Sequence, residues 1–291
     1  MKQILIISGK GGTGKTVVSG CLAVFLKNKA IVDADVDAAN LHLLLHPKIK
    51  ESYDFVGGKL AKIDKEKCSE CGTCIEICKF SAISEDFEIA PLFCEGCTIC
   101  SYFCPESAII LEDRISGKYF ISETKYGPLV HARLGIAQEN SGKLVAKLRE
   151  LAKNIAEKEK RDFIVIDGPP GVGCPVMASM TGVDLVIAVT EPTLSGLHDL
   201  ERILELANHF KIPVKVIINK FDLNPEMSSK IESNLKQKNI DVVGKIPFSE
   251  EIINSVKKQI PFLEYAKMFN KNRDIAELIE KILNNAVYST F

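Results

Sequence analysis

Two groups of residues in this 291-residue chain have the types and spacing that do chemistry. The first is Gly9-Lys10-Gly11-Gly12-Thr13-Gly14-Lys15-Thr16. Glycines let the backbone wrap closely enough for several N–H groups to face a phosphate, and a helix N-terminus behind them adds favourable partial charge. Such a loop suits a nucleoside triphosphate: Gly11, Gly12, Thr13, Gly14 and Val17 would surround the phosphates, Lys15 would reach the terminal ones and Thr16 would ligate Mg²⁺. The second group is eight cysteines in two runs, Cys68, Cys71, Cys74, Cys78 and Cys94, Cys97, Cys100, Cys104. Met1-Lys2-Gln3 and the short apolar run Ile4 to Ile7 do not make a signal peptide, and no stretch reaches the roughly 20 apolar residues of a membrane span. A cytoplasmic location without a membrane partner is therefore expected, and in a reducing compartment clustered thiols read as metal ligands before disulfides.

A shift of 26 residues lays all four cysteines of the first run on those of the second, Ile63 on Ile89, and Ser81-Ala82-Ile83 on Ser107-Ala108-Ile109. The stretch is a duplicated unit, set between Gly57-Gly58 and Arg114 and expected to span residues 59–113. Each run reads C-x₂-C-x₂-C-x₃-C, which resembles bacterial two-cluster ferredoxins. That resemblance implies two low-potential [4Fe-4S] clusters in which the fourth cysteine of each run serves the other cluster. One would take Cys68, Cys71, Cys74 and Cys104, and the other Cys94, Cys97, Cys100 and Cys78. Zinc also favours C-x₂-C pairs, but it commonly joins two separated pairs, whereas here three close thiolates and a distant fourth recur twice. Cys104-Pro105 follows the ferredoxin pattern, while Cys78-Lys79 departs from it where proline is usual.

The elements around these groups alternate. Residues 2–8 read as a buried strand, a helix follows from about Lys15 with Val17, Val18, Leu22, Phe25 and Leu26, and Ala30 to Val32 is a second strand ending at Asp33. Beyond the cysteines, Tyr119 to Ser122, Leu129 to Ala132, Phe163 to Ile166, Leu185 to Val189, Val214 to Ile218 and Val242 to Ile246 read as strands. Gly142 to Glu157, Leu197 to Phe210 and Glu226 to Lys238 read as helices. The predicted fold class is α/β, a mainly parallel sheet of the P-loop NTPase kind built from residues 1–58 and 114–291, with a small inserted α+β ferredoxin-like domain at 59–113. Asp33, Asp35 and Asp37 follow the second strand, and Asp167 ends another before Gly168-Pro169-Pro170-Gly171. Alone, each aspartate is an ordinary cap or loop residue. At strand C-termini beside a phosphate loop, one can hold Mg²⁺ and another can orient water.

With its extra lysine, Lys10, the loop resembles the deviant phosphate loop of the MinD, Mrp and nitrogenase-iron-protein superfamily. Asp33-Ala34-Asp35 and Asp167-Gly168-Pro169-Pro170-Gly171 are similar to its two switch segments. The similarity spans nearly all of residues 1–56 and 119–291. It implies a Mg²⁺-dependent ATPase, slow or stimulated by a partner, that forms a nucleotide-dependent homodimer or a heterodimer with a paralogue. Lys10 would reach the partner's nucleotide, Asp35 would position water, and Asp167 with Asp33 and Thr16 would sit at the Mg²⁺. Asn219-Lys220-Phe221-Asp222 matches a guanine-reading pattern, yet superfamily members with a similar asparagine generally take adenine, so ATP is expected. Together with the cysteines, this implies nucleotide-driven switching coupled to electron transfer with a redox partner. The alternative is an Mrp-type carrier delivering clusters to an acceptor protein, although such carriers use a C-x-x-C within the ATPase fold, and outside the insert only Cys21 and Cys174 remain.

A net charge of −1 supplies no field to gather nucleic acid. Cys21 reads as a small buried residue. Cys174 resembles in position a ligand of the bridging cluster in the nitrogenase iron protein, whose second ligand has no counterpart here. The five histidines form no metal-spaced pair. Ile275, Leu278, Ile279, Ile282 and Leu283 lie on one face of a last helix whose polar face carries Asp274, Glu277 and Glu280, which suits packing on the sheet.

Overall fold

Ile4, Leu5, Ile6 and Ile7 point alternately to opposite sides of a strand, and all four are fully buried. A strand apolar on both sides must be covered on both faces, which is the situation of an inner strand in a parallel α/β sheet. In the computed structural model, which describes residues 1–135 and 141–291, this strand β1 (Lys2–Ser8) lies between β6 (Phe163–Pro170) and β7 (Leu185–Thr190), parallel to both. The remaining strands are β2 (Lys29–Asp33), β3 (Lys48–Ile63), β4 (Ile109–Thr124), β5 (Gly127–Leu134), β8 (Val214–Asn219) and β9 (Asp241–Ile246). Their order is β3-β4-β5-β2-β6-β1-β7-β8-β9. The ladders β2–β5, β2–β6, β7–β8 and β8–β9 are parallel as well.

The helices are α1 (Lys15–Phe25), α2 (Leu41–Leu45), α3 (Thr73–Ile77), α4 (Ile99–Tyr102), α5 (Ser141–Lys158), α6 (Cys174–Met180), α7 (Leu194–His209), α8 (Pro225–Gln237), α9 (Glu250–Lys257), α10 (Phe262–Phe269) and α11 (Arg273–Tyr288). On one face of the sheet Val18 and Leu22 of α1, Phe262 of α10, and Ile279, Ile282 and Leu283 of α11 pack on Ile4, Ile6 and Ile187 in one apolar cluster. The last helix thus buries the apolar face that its sequence displays. Gly244 of β9 admits it: a Cβ there would stand 2.2 Å from Ile282 Cγ1. Among the described residues no helix is long and apolar enough to cross a membrane.

The chain divides into two compact units. The larger holds Met1–Ser52, Tyr119–Arg133 and Ser141–Phe291, with the phosphate loop and both aspartate segments; the smaller is centred on Tyr53–Lys118 and holds the eight cysteines. Gly57 and Gly58 lie inside β3, which runs through them as an unbroken strand. Gly57 permits a close approach, because a Cβ there would come within 2.6 Å of Ser116 Oγ on β4. The core of the smaller unit is modest and includes Ala61, Ala82, Ile83, Ile109 and the thiols of Cys74 and Cys94.

Candidate functional site

The loop from Gly9 to Gly14 joins β1 to α1, and Gly12 and Gly14 both take positive φ, +81° and +96°. Only glycine adopts that backbone readily. Lys15 opens α1 and turns its ammonium group into the interior, 2.9 Å from Asp167 Oδ1 and 3.5 Å from Asp35 Oδ2. Thr16 donates its hydroxyl to Asp167 Oδ2 at 3.1 Å, and Ser19, one turn further along α1, donates to Asp167 Oδ1 at 2.7 Å. Asp33 and Asp167 are direct neighbours across the parallel β2–β6 ladder, so strand register alone sets two carboxylates side by side. Asp33 is fully buried and accepts from the backbone N–H groups of Leu41 and Asp35.

The electrostatics follow from this crowding. Burial, reinforced by the Asp167 charge, pushes the Asp33 carboxyl up to about 8. Asp35 is also raised, by burial first and with Lys15 pulling the other way. Burial alone would lower the Lys15 ammonium, but Asp167, Asp35 and Asp33 outweigh it and hold it above its ordinary value. Three carboxylates around one cation, at the carboxyl ends of parallel strands, are a place where a divalent cation and phosphates can rearrange charge. Beside them opens a cleft of about 560 Å³, lined by Gly11, Gly12, Gly14, Lys15, Thr16 and Val17 and also by Asn40, Leu44 and Val256. That volume falls within the range of small-molecule sites.

The other expected residues are placed as follows. Lys10 Nζ lies 2.7 Å from Glu191 and 2.9 Å from Ser195 Oγ, so its partners are in its own chain. Asn219 donates to the Thr13 carbonyl at 2.7 Å, and Lys220 to the Gly12 carbonyl at 3.1 Å, so both brace the loop from beneath. Asp222 accepts from the Phe248 N–H at 2.7 Å. Asp37 is exposed and outside this group. Sequence reasoning missed two residues, Ser19 and Glu191. Ser19 was legible as the position one helical turn beyond Lys15 and Thr16. Glu191, which pairs with both Lys10 and Lys220, follows the end of β7, the same strand-end rule that singled out Asp33 and Asp167.

In the smaller unit, the eight thiols border two cavities. One, of about 20 Å³, is lined by Cys68, Cys71, Cys74 and Cys104; the other, of about 240 Å³, by Cys94, Cys97, Cys100 and Cys78. Each set combines three cysteines of one run with the fourth of the other. The sulfurs border cavities without meeting at a point: among the described residues no three His, Cys, Asp or Glu side chains gather closely enough to hold a single ion. The repeat persists in the backbone, since Ala82 N–H donates to Cys78 Sγ at 3.4 Å and Ala108 N–H to Cys104 Sγ at 3.3 Å. Burial and then the nearby Cys94, Cys97 and Cys78 push the Cys100 thiol up, and burial with Cys68 and Cys71 does the same for Cys74. Cys21 is buried and pushed up to about 12 by desolvation, while Cys174 is exposed at the start of α6.

A family model described as the CobQ/CobB/MinD/ParA nucleotide binding domain matches residues 4–262. The chain belongs to that family. Its sheet and phosphate loop are accordingly those of a MinD-like P-loop nucleotide-binding fold. Among solved structures, the septum site-determining protein MinD complexed with Mg-ADP from Pyrococcus horikoshii superimposes with a TM-score of 0.60 at 20% identity, covering 98% of this chain and 96% of that one. An uncharacterized protein of Methanocaldococcus jannaschii is 40% identical over 226 residues, 76% of this chain and 79% of its own. An iron-sulfur cluster carrier protein of Rickettsia bellii is 26% identical over 274 residues, 92% of this chain and 68% of its own.

Proposed function

We propose that this family member is a Mg²⁺-dependent ATPase whose inserted ferredoxin-like domain, residues 59–113, carries two [4Fe-4S] clusters, and that nucleotide state controls electron transfer to a redox partner. The observation that carries the reading is the sorting of eight thiols into two fours, each three from one run and one from the other. An all-sulfur donor set bordering a cavity, with N–H groups aimed at two of the sulfurs, fits such clusters. When bound, they would supply one-electron chemistry, held by Cys68, Cys71, Cys74 and Cys104 and by Cys94, Cys97, Cys100 and Cys78.

At the phosphate loop the switch follows from charge. Lys15 now divides its charge between Asp167 and Asp35. A triphosphate would compete for that ammonium group, and Mg²⁺ held by Thr16 and Asp167, with Asp33 beside them, would take over the carboxylate's charge. Asp35, released from Lys15, would orient the attacking water. Both aspartate segments would therefore shift with nucleotide, which is how such loops report a γ-phosphate. Lys10 would have to leave Glu191 to reach a second subunit's nucleotide in a homodimer, or in a heterodimer with a paralogue. ATP is favoured over GTP because Asp222, the residue that would read guanine, accepts the Phe248 N–H, and Asn219 braces the loop.

The test is anaerobic. Iron and sulfide should each approach about eight per chain. Reduction of a one-electron acceptor should differ between ATP, ADP and no nucleotide, and equal rates in all three would sink the coupling. Mass in solution with a nonhydrolysable ATP analogue and Mg²⁺ tests the dimer. The Rickettsia bellii relative's name favours a second reading, cluster delivery to an acceptor protein. Incubation with an apo-acceptor separates the two, since a carrier loses iron and an electron donor keeps it.

A further inference from the structure

The duplicated unit supplies its own control, because its two halves share a backbone and differ in surface. Glu70 and Gly96 take φ of +55° and +62°, Gly72 and Thr98 +79° and +70°, and Ser81 and Ser107 +49° and +50°. The turn bonds repeat too: Cys68 N–H to Asp64 O at 3.1 Å matches Cys94 N–H to Ala90 O at 3.1 Å. Positions 26 residues apart thus occupy equivalent places. In the first half Glu66, Lys67, Thr73 and Glu76 stand where the second half has Leu92, Phe93, Ile99 and Tyr102. Those four apolar and aromatic side chains are exposed, Leu92 by 65%, Phe93 by 60%, Ile99 by 44% and Tyr102 by 83%. Phe103, 57% exposed, packs edge-on against Tyr102 at 5.2 Å. No folding requirement explains this, since the first half reaches the same backbone with charged residues at three of the four positions.

Resting on the two-cluster reading, we infer that the second half, around Cys94, Cys97 and Cys100, is the docking face through which electrons pass to or from a protein partner, and that the partner is a basic one-electron carrier with an apolar contact surface. Exposed aromatic groups beside a site mark protein contact surfaces, where such anchors supply most of the binding energy. Charge specifies the partner. Between Tyr53 and Lys118 there are twelve Asp and Glu side chains against seven Lys and Arg, a net of −5 in a chain whose total is −1. An apolar patch on an acidic unit steers basic proteins and repels acidic ones, with rates that fall as salt rises. At this face one electron would leave the reduced protein and enter the partner's cofactor. The charged first half would face solvent.

The experiment gives the second half the residues of the first: Leu92→Glu, Phe93→Lys and Tyr102→Glu together. The change leaves the unit no less acidic, so electrostatic steering is preserved and only the apolar contact is removed. Iron and sulfide are counted first, in wild type and variant. Dithionite-reduced, desalted protein is then mixed anaerobically with ferric cytochrome c, a basic haem protein, or with ferricyanide, a small acceptor that needs no docking face. The expected result is a second-order rate with cytochrome c at least tenfold lower in the variant, with ferricyanide rates within twofold and iron unchanged. Cytochrome c rates within twofold of each other, with iron intact, would overturn the inference while leaving the clusters standing. Wild-type protein without iron would overturn both. A nucleotide-free wild-type dimer that the variant converts to monomer would assign the face to a second copy of this chain and overturn the partner.

Discussion

Asp33 ties the stability of the fold to pH. Its carboxyl is held up to about 8, by burial first and by Asp167 second, against an ordinary value near 4. Between those values the unfolded chain has lost this proton and the folded chain keeps it, so raising the pH through that window weakens the fold. Asp33→Asn removes the titration and keeps a side-chain oxygen for one of the two N–H groups, Leu41 on Oδ2 or Asp35 on Oδ1, at a cost to the other that does not vary with pH. Denaturant unfolding without nucleotide should therefore show the variant gaining on wild type between pH 5 and pH 8, by roughly 1–3 kcal/mol. A parallel loss of stability in both proteins would remove Asp33 as the cause. Lys15→Met has the opposite sign. It leaves Asp167 and Asp35 without their cation and should cost about 3 kcal/mol at pH 7, less at pH 5, as well as abolishing nucleotide binding. A Lys15→Met protein that unfolds like wild type at both pH values would mean that the triad carries no structural load.

At the scale of elements, the phosphate loop is held from beneath by a strand far away in sequence. Gly14 has φ of +96°, and a Cβ there would lie 2.2 Å from the Asn219 amide nitrogen that supports the Thr13 carbonyl. Gly14→Ala should destabilise by about 1–2 kcal/mol from the backbone alone and, by displacing Asn219, weaken nucleotide binding at least tenfold. Equilibrium binding of a fluorescent nucleotide checks this, and wild-type affinity would show that the loop tolerates the side chain. This loop was legible because glycines, lysine and threonine carry their reasons locally, and β1, β2 and β6 because buried parallel strands read as unbroken apolar runs. β3 and β4 were not. Only fragments or none of their 16 residues each could be read, since most of their side chains are exposed or half-buried and show no period. Ion pairs such as Lys59–Asp113 and Lys62–Glu112 accompany them, and pairing between strands leaves no mark in either sequence alone. The glycines at 57 and 58 served only to mark where the insert begins; the need for Gly57 lies in Ser116, 59 residues away.

For the whole molecule, two compact units with separate cores predict separable melting. The larger unit buries apolar side chains on a wide sheet, whereas the core of the smaller is made in part of Cys74 and Cys94 themselves. A core that includes its own ligands depends on what those ligands hold, because binding free energy is then folding free energy. Stripping the clusters with a chelator and an oxidant should therefore abolish or greatly lower one calorimetric transition and leave the other. Mg²⁺ and ATP should raise only the surviving transition: at about 100 times the dissociation constant the gain is ~2.7 kcal/mol, or roughly 5–10 °C for a domain of this size. The iron-depleted protein should thus keep its nucleotide-dependent shift while losing its colour. A single transition that disappears with the iron would mean that the nucleotide fold cannot stand without the cysteine unit, and the separation of roles between the two units would have to be abandoned.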